Sequence, residues 1–227
     1  MELVVVSLDA RLVPEIPHDG TVLVVDGLSF AGTPELGAAA LAPLGTCPVR
    51  DRAVAALVAQ PEELTVLRAD QERANPENHF YVIDSAYVEG ERDDVVRCLA
   101  PAFTSLPTPK AFSIWFDMGR APRRGLPDMA LSLQTDLYFA AYLVGENEAQ
   151  VASCLSWIHD RIAGLEPVTA GLYLGDSDLP RRPAKFMSGE AYARLQRIRA
   201  ERDPDGVFCD YLTADGVPVN SNPWQLP

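Results

Sequence analysis

Hydrophobic and polar residues alternate along several stretches of this 227-residue chain. Alternation with a period of two, bounded by glycine or proline, predicts β-strands, because successive side chains of a strand point to opposite faces. Alternation, Val/Leu-rich runs bounded by glycine, or high β propensity together predict six strands: residues 3–12, 21–30, 79–88, 110–119, 129–145 and 169–174. They predict a protein built around a sheet.

Apolar residues with helical spacing, together with capping residues, predict the helices between these strands. Thr33 and Pro34 form a helix start, and the run ends near Leu41. Further helices are predicted over 51–59, 61–72, 91–105 with a break at Pro101, and 147–165. A last helix follows Ser188 as its cap, with Tyr192, Leu195 and Ile198 facing the core, and stops at Asp203-Pro204.

The order of these elements predicts an α+β fold. We expect a single antiparallel or mixed sheet of about six to seven strands, with helices packed on one face. The length suits one domain, which we place over residues 1–212, followed by an irregular, proline-rich tail over residues 213–227.

Dividing the strands by alternate positions predicts one apolar face and one aromatic, polar face. Phe112, Ile114 and Phe116 belong to the apolar core face. The second face gathers aromatic and polar residues: Tyr81, Tyr87, Trp115, Tyr138, Tyr142, Tyr173, His79, Asp117, Gln134 and Asp136. Tyrosine and tryptophan are typical of ligand pockets, where an apolar surface also offers hydrogen bonds. The alternative is an ordinary outer face, because tyrosine suits strands.

If this second face is a site, its residues divide into two roles. The predicted catalytic residues are Asp117, Asp136, His79 and Tyr173, which could move protons or stabilise charge. The predicted substrate-binding residues are Tyr81, Tyr87, Trp115, Gln134, Tyr138 and Tyr142. Asp84 does not fit the apolar positions around it: it is a bulge signal, a paired core group or a functional acid.

Charge and cysteine content exclude several classes of function. The formal net charge of −13 disfavours binding to nucleic acid or to anionic membranes. No N-terminal leader and no membrane-length apolar run stand out, so we expect a cytoplasmic protein. The four cysteines are far apart without a paired motif, which predicts buried or half-buried thiols and no metal site.

The stretch "GEAYARLQRIRAERDPDGVF", residues 189–208, resembles the C-terminal segment of the berberine-bridge-enzyme-like (BBE-like) FAD-linked oxidases. The stretches at 79–96, 129–167 and 169–178 are similar to successive pieces of that family's substrate-binding domain, and residues 4–17 to the strand leading into it. The resemblance covers nearly the whole chain and implies a free-standing substrate-binding domain without the FAD-binding domain, and hence no cofactor.

The resemblance also marks departures from the family pattern. Gly175 and Ala191 stand where the family has asparagines near the flavin, and Asp84 stands where it has a lysine, whereas Tyr173 keeps an active-site tyrosine. This pattern is what we expect of a pocket that no longer holds flavin.

Three functions follow as hypotheses. The first is a flavin-independent cyclase or isomerase of natural-product biosynthesis, acting on an apolar small molecule, in which the pocket holds the substrate in its reactive conformation. The second is the substrate-domain subunit of a divided FAD-dependent oxidoreductase. The third is a non-catalytic small-molecule-binding protein. A homodimer through the tyrosine-rich face is a further expectation, because such a face should not stay bare in water.

Overall fold

The computed structural model describes residues 2–9, 20–56, 59–118, 129–179 and 181–208. These residues form one antiparallel sheet of six strands and five α-helices, which confirms the predicted α+β class. The strands are β1 (Glu2–Asp9), β2 (Thr21–Leu28), β3 (Phe80–Val88), β4 (Phe112–Asp117), β5 (Leu137–Gly145) and β6 (Thr169–Gly171), in the spatial order β2-β1-β4-β5-β3-β6. The helices are α1 (Pro34–Leu41), α2 (Leu64–Ala74), α3 (Arg92–Thr104), α4 (Glu148–Leu165) and α5 (Gly189–Arg202). The predicted tail, 213–227, lies outside the described residues.

The chain divides into two compact units, of which the first comprises residues 1–82, 100–117 and 141–161. In this unit, β1 pairs antiparallel with β2 on one side and with β4 on the other. Val5 lies opposite Val25 in one pair and opposite Trp115 in the other, so these three residues share a face.

The second unit comprises residues 83–99, 118–140 and 162–227. Here β6 pairs with the end of β3, with Tyr87 opposite Gly171. A small core of Leu172, Leu179, Phe186 and Met187 follows, and Ala184, Ala191, Tyr192 and Leu195 pack against it. The prediction that Ile198 faces the core is wrong, because its side chain is 45% exposed.

Two helix starts are confirmed by their caps. The hydroxyl oxygen of Thr33 accepts the Leu36 N–H, and that of Ser188 accepts the Ala191 N–H, so each satisfies a backbone donor that the first turn leaves unpaired.

Two helix predictions are wrong. Residues 51–56 form no helix beyond a short 3-10 turn at Arg50–Arg52, and Val54 stays exposed, so a helical apolar stripe there would have nothing to pack against. Pro101 lies inside α3 without breaking it. After the proline, the Thr104 hydroxyl donates to the Ala100 carbonyl and the Ser105 hydroxyl to that of Pro101, which secures the last turn.

The long predicted strand over 129–145 begins only at Leu137. In the irregular segment before it, the Ser132 hydroxyl accepts the Ser188 N–H and the Thr135 hydroxyl donates to the Leu137 carbonyl. Side-chain bonds to the backbone therefore replace a strand ladder there. Alternation does not extend to Gln134 and Asp136, whose predicted face is not supported.

Candidate active site

Three of the predicted site tyrosines form one cluster in the second unit. Tyr87 comes from β3, Tyr138 from β5, and Tyr173 follows β6. The ring centroids of Tyr87 and Tyr138 are 5.4 Å apart, and those of Tyr138 and Tyr173 are 6.3 Å apart in an edge-to-face arrangement. Aromatic contacts of this kind hold the rings in fixed orientations. We call these three residues the tyrosine cluster.

A carboxylate belongs to the tyrosine cluster, and sequence reasoning missed it. The Tyr138 hydroxyl donates a hydrogen bond of 2.5 Å to Oδ2 of Asp176. Asp176 ends a 3-10 turn, Leu174–Asp176, in which its N–H donates to the Tyr173 carbonyl at 3.2 Å. The signal available in the sequence was the spacing of three residues from Tyr173, which a tight turn brings to one side.

The tyrosine cluster is buried at one end and open at the other. Tyr87 is 3% exposed, whereas Tyr173 is 40% exposed. Burial, together with the smaller effects of the charges of Tyr173 and Asp176, raises the pKa of Tyr87 to about 12. Tyr87 therefore keeps its proton at neutral pH and is a hydrogen-bond donor.

Ser85 fixes the backbone that carries Tyr173. Its hydroxyl accepts the Tyr173 N–H at 3.2 Å, lies 3.3 Å from the Tyr173 carbonyl and is 2.8 Å from the Ser177 hydroxyl. Ser85 and Tyr87 are two residues apart on β3 and so share a face of that strand. The tyrosine cluster thus rests on a hydrogen-bonded support.

Asp84 is a paired core group, which decides among its three interpretations. Its two carboxylate oxygens accept hydrogen bonds of 2.7 and 2.6 Å from Arg182, which also donates to the Ser85 carbonyl. A two-point pair of this geometry satisfies a buried carboxylate. Asp84 therefore serves to hold the 177–188 segment to β3.

His79 and Tyr81 lie in the first unit, beside charged residues that the sequence did not single out. Lys110 Nζ is 2.7 Å from His79 Nε2 and 2.7 Å from Glu146 Oε1. His79 Nδ1 is 2.7 Å from the Glu77 carbonyl, so the ring carries its proton on Nδ1 and accepts from the lysine at Nε2. The hydrogen bond and charge of Lys110 hold the pKa of Glu146 below its usual range.

The structure reverses the face predicted for β4. The Phe112 ring stacks on Tyr142 with centroids 5.0 Å apart, so the even-numbered side chains of β4 share the face of Tyr142. Trp115 therefore lies on the opposite face, and its grouping with Tyr142 is wrong. Trp115 Nε1 and the Ser113 hydroxyl on that face are buried, and neither has a hydrogen-bond partner among the described residues. Asp117 is exposed at the end of β4.

Of the predicted site residues, Tyr87, Tyr138 and Tyr173 are joined in one cluster by the ring contacts described above. Asp136 lies in the turn before β5, where its carbonyl accepts the Met118 N–H at 2.9 Å, and Gln134 is half-buried in the irregular segment. Catalytic and binding roles for the remaining residues stay predictions.

Within the described parts of the chain, three further features bear on function. The described residues contain no group of three or more metal-ligating side chains and no helix that is long and apolar enough to cross a membrane. The described cysteines, Cys47, Cys98 and Cys154, are free thiols that are buried or half-buried, as predicted.

Known proteins are similar to this chain in both sequence and fold. The FAD-linked oxidoreductase nodO of Hypoxylon pulicicidum is 31% identical over 140 residues, which are 62% of this chain and 31% of that protein. The FAD-linked oxidoreductase ptmO of Penicillium ochrochloron is 28% identical over 214 residues, 88% of this chain and 47% of that protein. The chain is a homologue of the FAD-linked oxidoreductases. No described protein family matches in a family search.

Solved structures agree with this relationship at the level of the fold. BBE-like #28 of Arabidopsis thaliana has a TM-score of 0.60 at 14% identity, covering 96% of this chain and 50% of that one. CrmK, a flavoenzyme of caerulomycin biosynthesis, has a TM-score of 0.59 at 15% identity, covering 94% and 47%. The chain thus has the fold of part of a BBE-like protein and spans half or less of the length of these relatives.

The relatives nodO and ptmO are named FAD-linked oxidoreductases, and two positions of this chain bear on whether its residues fit FAD. At Gly175, an added Cβ would lie 2.6 Å from Cε1 of Tyr173, so the tyrosine ring already occupies the space of a side chain. Ala191 packs against the apolar core of Leu172, Leu179, Phe186 and Met187. At the two positions where the resemblance places flavin-side asparagines, this chain therefore offers no polar side chain, and these residues do not fit such a contact.

Proposed function

We propose that this chain binds an apolar small molecule at the tyrosine cluster and rearranges it without flavin, as a cyclase or isomerase of natural-product biosynthesis. The observation that carries the proposal is the cluster itself: three aromatic rings in contact, with a carboxylate hydrogen-bonded to one of them. Aromatic walls with a few placed polar groups are the usual lining of a small-molecule site.

The chemistry available to the tyrosine cluster is redox-neutral. Tyr87 is buried and protonated, and Tyr173 is exposed enough to meet a ligand. Phenol hydroxyls held in place can donate hydrogen bonds to a carbonyl that gains negative charge during a reaction. Holding a flexible chain in a reactive conformation against the rings lowers the barrier further, which is all that a pericyclic cyclisation needs.

The support under Tyr173 is consistent with this role. Ser85 bonds both the N–H and the carbonyl of Tyr173, and Arg182 bonds both Asp84 and the Ser85 carbonyl. A side chain on such a backbone loses little freedom when it meets a ligand, so less binding energy is spent on ordering it.

A second candidate is the substrate-binding unit of a divided FAD-dependent oxidoreductase. It is favoured by the relatives, all named FAD-linked oxidoreductases, of which this chain spans less than half. In that case a separate polypeptide would supply the flavin domain. The residues at Gly175 and Ala191 argue against it.

The two candidates differ in the mass change of the reaction. Deletion of the gene in its native host, followed by mass spectrometry of small molecules, should reveal a precursor isomeric with the missing product. An oxidoreductase would instead leave a precursor with two more hydrogen atoms. Complementation with the wild-type gene should restore the product, and complementation with Tyr173→Phe should not.

A direct test for flavin completes the experiment. Purified protein should be colourless and should not change the absorbance spectrum of added FAD. A yellow protein, or saturable FAD binding, would overturn the flavin-free proposal. Size-exclusion chromatography on the same sample tests the proposed homodimer.

A further inference from the structure

We propose that Gly175 is a specificity-determining residue of the tyrosine cluster. Because it has no side chain, it leaves room for the Tyr173 ring to lie over the Leu174–Asp176 turn. In that position the ring forms a wall of the site and favours flat, apolar ligands over saturated ligands of the same carbon skeleton. The inference rests on the proposed function, since it names the class of small molecule that the tyrosine cluster takes.

The backbone of Gly175 does not itself require glycine. The residue lies inside a 3-10 turn, and its φ is outside the positive range in which glycine is favoured. The space beside it is what excludes a side chain. An added Cβ would lie 2.6 Å from Cε1, 3.0 Å from Cζ and 3.1 Å from Oη of Tyr173, which are its three nearest atoms. Glycine at this position therefore provides room for one aromatic ring.

The backbone of Tyr173 is held in place, so a side chain at Gly175 would displace the ring rather than the chain. The Ser85 hydroxyl accepts the Tyr173 N–H at 3.2 Å, and the Tyr173 carbonyl accepts the Asp176 N–H at 3.2 Å. The ring, by contrast, can turn away about its own side-chain bonds at small cost. Gly175→Ala should therefore keep the fold and move the Tyr173 ring.

The Tyr173 ring is the outer member of the tyrosine cluster. Its plane stands at 82° to that of Tyr138, which is 7% exposed, whereas Tyr173 is 40% exposed. A ligand approaching the cluster from solvent meets this ring first. A flat aromatic ligand can pack closely against an aromatic ring and gain from the ring quadrupoles, whereas a saturated ligand is thicker and lacks that gain. The ring position therefore sets the preference for flat ligands.

The position of the ring can be measured without any ligand. The chain has seven tyrosines, so protein made with 3-fluorotyrosine gives few fluorine NMR signals, and the signal absent from Tyr173→Phe belongs to Tyr173. In Gly175→Ala this signal should shift towards its position in the unfolded protein. Gly189→Ala is the matched control, because it adds the same methyl group at the start of α5 with nothing within 4 Å, and it should leave the signal in place.

The ligand preference is tested with 2-naphthol and decahydro-2-naphthol, which share one carbon skeleton and one hydroxyl but differ in flatness. In equilibrium dialysis the wild type should bind 2-naphthol roughly tenfold more tightly than the saturated compound. Gly175→Ala and Tyr173→Ala should both reduce this preference to less than about twofold, and Gly189→Ala should keep it. The ratio of the two affinities is not altered by a loss of folded protein, which lowers both equally.

A double variant shows whether the glycine acts through the ring. Gly175→Ala should lower the midpoint of thermal unfolding by about 2–4 °C, because the ring loses its contact with Tyr138. Added to Tyr173→Ala, the same substitution has no ring to displace and should lower the midpoint no further. Circular dichroism of each variant checks that the fold is intact.

Gly175 does not determine specificity if its alanine variant keeps the wild-type fluorine signal or the preference for 2-naphthol. The inference is also wrong if the wild type has no such preference, if Gly189→Ala loses it, or if the double variant is destabilised as much again. Failure of the proposed function is a separate result: flavin binding or a mass change of two hydrogens would overturn that function even where the preference depends on Gly175.

Discussion

Two regions of this protein differ in whether their buried polar side chains are hydrogen-bonded. Where β3 meets the segment 173–182, the Asp84 carboxylate is held by Arg182 and the Ser85 hydroxyl by Tyr173 and Ser177. On β4, the Ser113 hydroxyl and the indole N–H of Trp115 are buried and have no hydrogen-bond partner in the part of the chain that the structure describes. A paired buried group specifies a shape, whereas an unpaired one only costs free energy of desolvation. The difference indicates that the first region, which carries the tyrosine cluster, is the one built to hold a fixed geometry.

The largest expected effect comes from breaking the Asp84 pair. Arg182→Ala leaves a carboxylate buried and unpaired, so the free energy of unfolding should fall by about 3–5 kcal/mol. Arg181→Ala, which removes an exposed partner of Asp178, should cost less than about 1 kcal/mol. Urea unfolding of both variants checks this, and equal losses would mean that the Asp84 pair has no special role.

Close packing next to the tyrosine cluster gives the second effect. In Gly171→Ala, the new Cβ would lie 2.5 Å from the Lys185 carbonyl oxygen and would also clash with Leu133 Cδ2, so the backbone must shift, at a cost of about 3 kcal/mol. Gly164→Ala meets nothing within 4 Å inside α4 and should stabilise the protein by about 0.5–1 kcal/mol. In thermal unfolding, the midpoint temperature should fall for Gly171→Ala and rise for Gly164→Ala.

The two buried serines test the comparison most directly. Ser85→Ala leaves the Tyr173 N–H without its hydrogen-bond acceptor, so the free energy of unfolding should fall by about 1–2 kcal/mol. Ser113→Ala removes an unsatisfied hydroxyl and should leave stability unchanged or raise it slightly. Denaturant titrations of both variants are the measurement, and a larger loss at Ser113 would mean that its hydroxyl has a partner in solution.

The effect that is smallest at neutral pH is the pH dependence contributed by Tyr87. Its pKa is raised to about 12 in the folded protein, against about 10 in an unfolded chain. Between these values the unfolded state releases the proton first, so the stabilising contribution is complete below pH 10 and is lost as the pH rises towards 12. Unfolding free energies measured from pH 9 to 12 should therefore fall more steeply for the wild type than for Tyr87→Phe, and parallel curves would contradict this assignment.

Local sequence signals predicted most of the fold. Thr33 and Ser188 were recognisable as caps, and alternation, Val/Leu content and β propensity located the six strands of the described residues, because these signals depend on residues close together in the chain. They failed where distant contacts decide the outcome. The segment before Leu137 reads as a strand, but its hydroxyls bond to the backbone of Ser188 and Leu137 instead.

The candidate site was only partly predictable for the same reason. Alternation identified Tyr87 and Tyr138 as sharing a face, yet it placed Trp115 on the wrong side, because a period of two does not say which face of one strand matches which face of the next. No local signal pointed to Lys110 beside His79.

The amino-acid sequence by itself determined the elements, the class of fold and the aromatic character of the site, since these follow from neighbours along the chain. Only the tertiary structure decided that Asp176 joins Tyr138 and that Arg182 neutralises Asp84, across 38 and 98 residues respectively. The order of the strands and the path of the 173–188 segment create these pairs, and hydrogen bonds so sensitive to distance and angle form only once both are set.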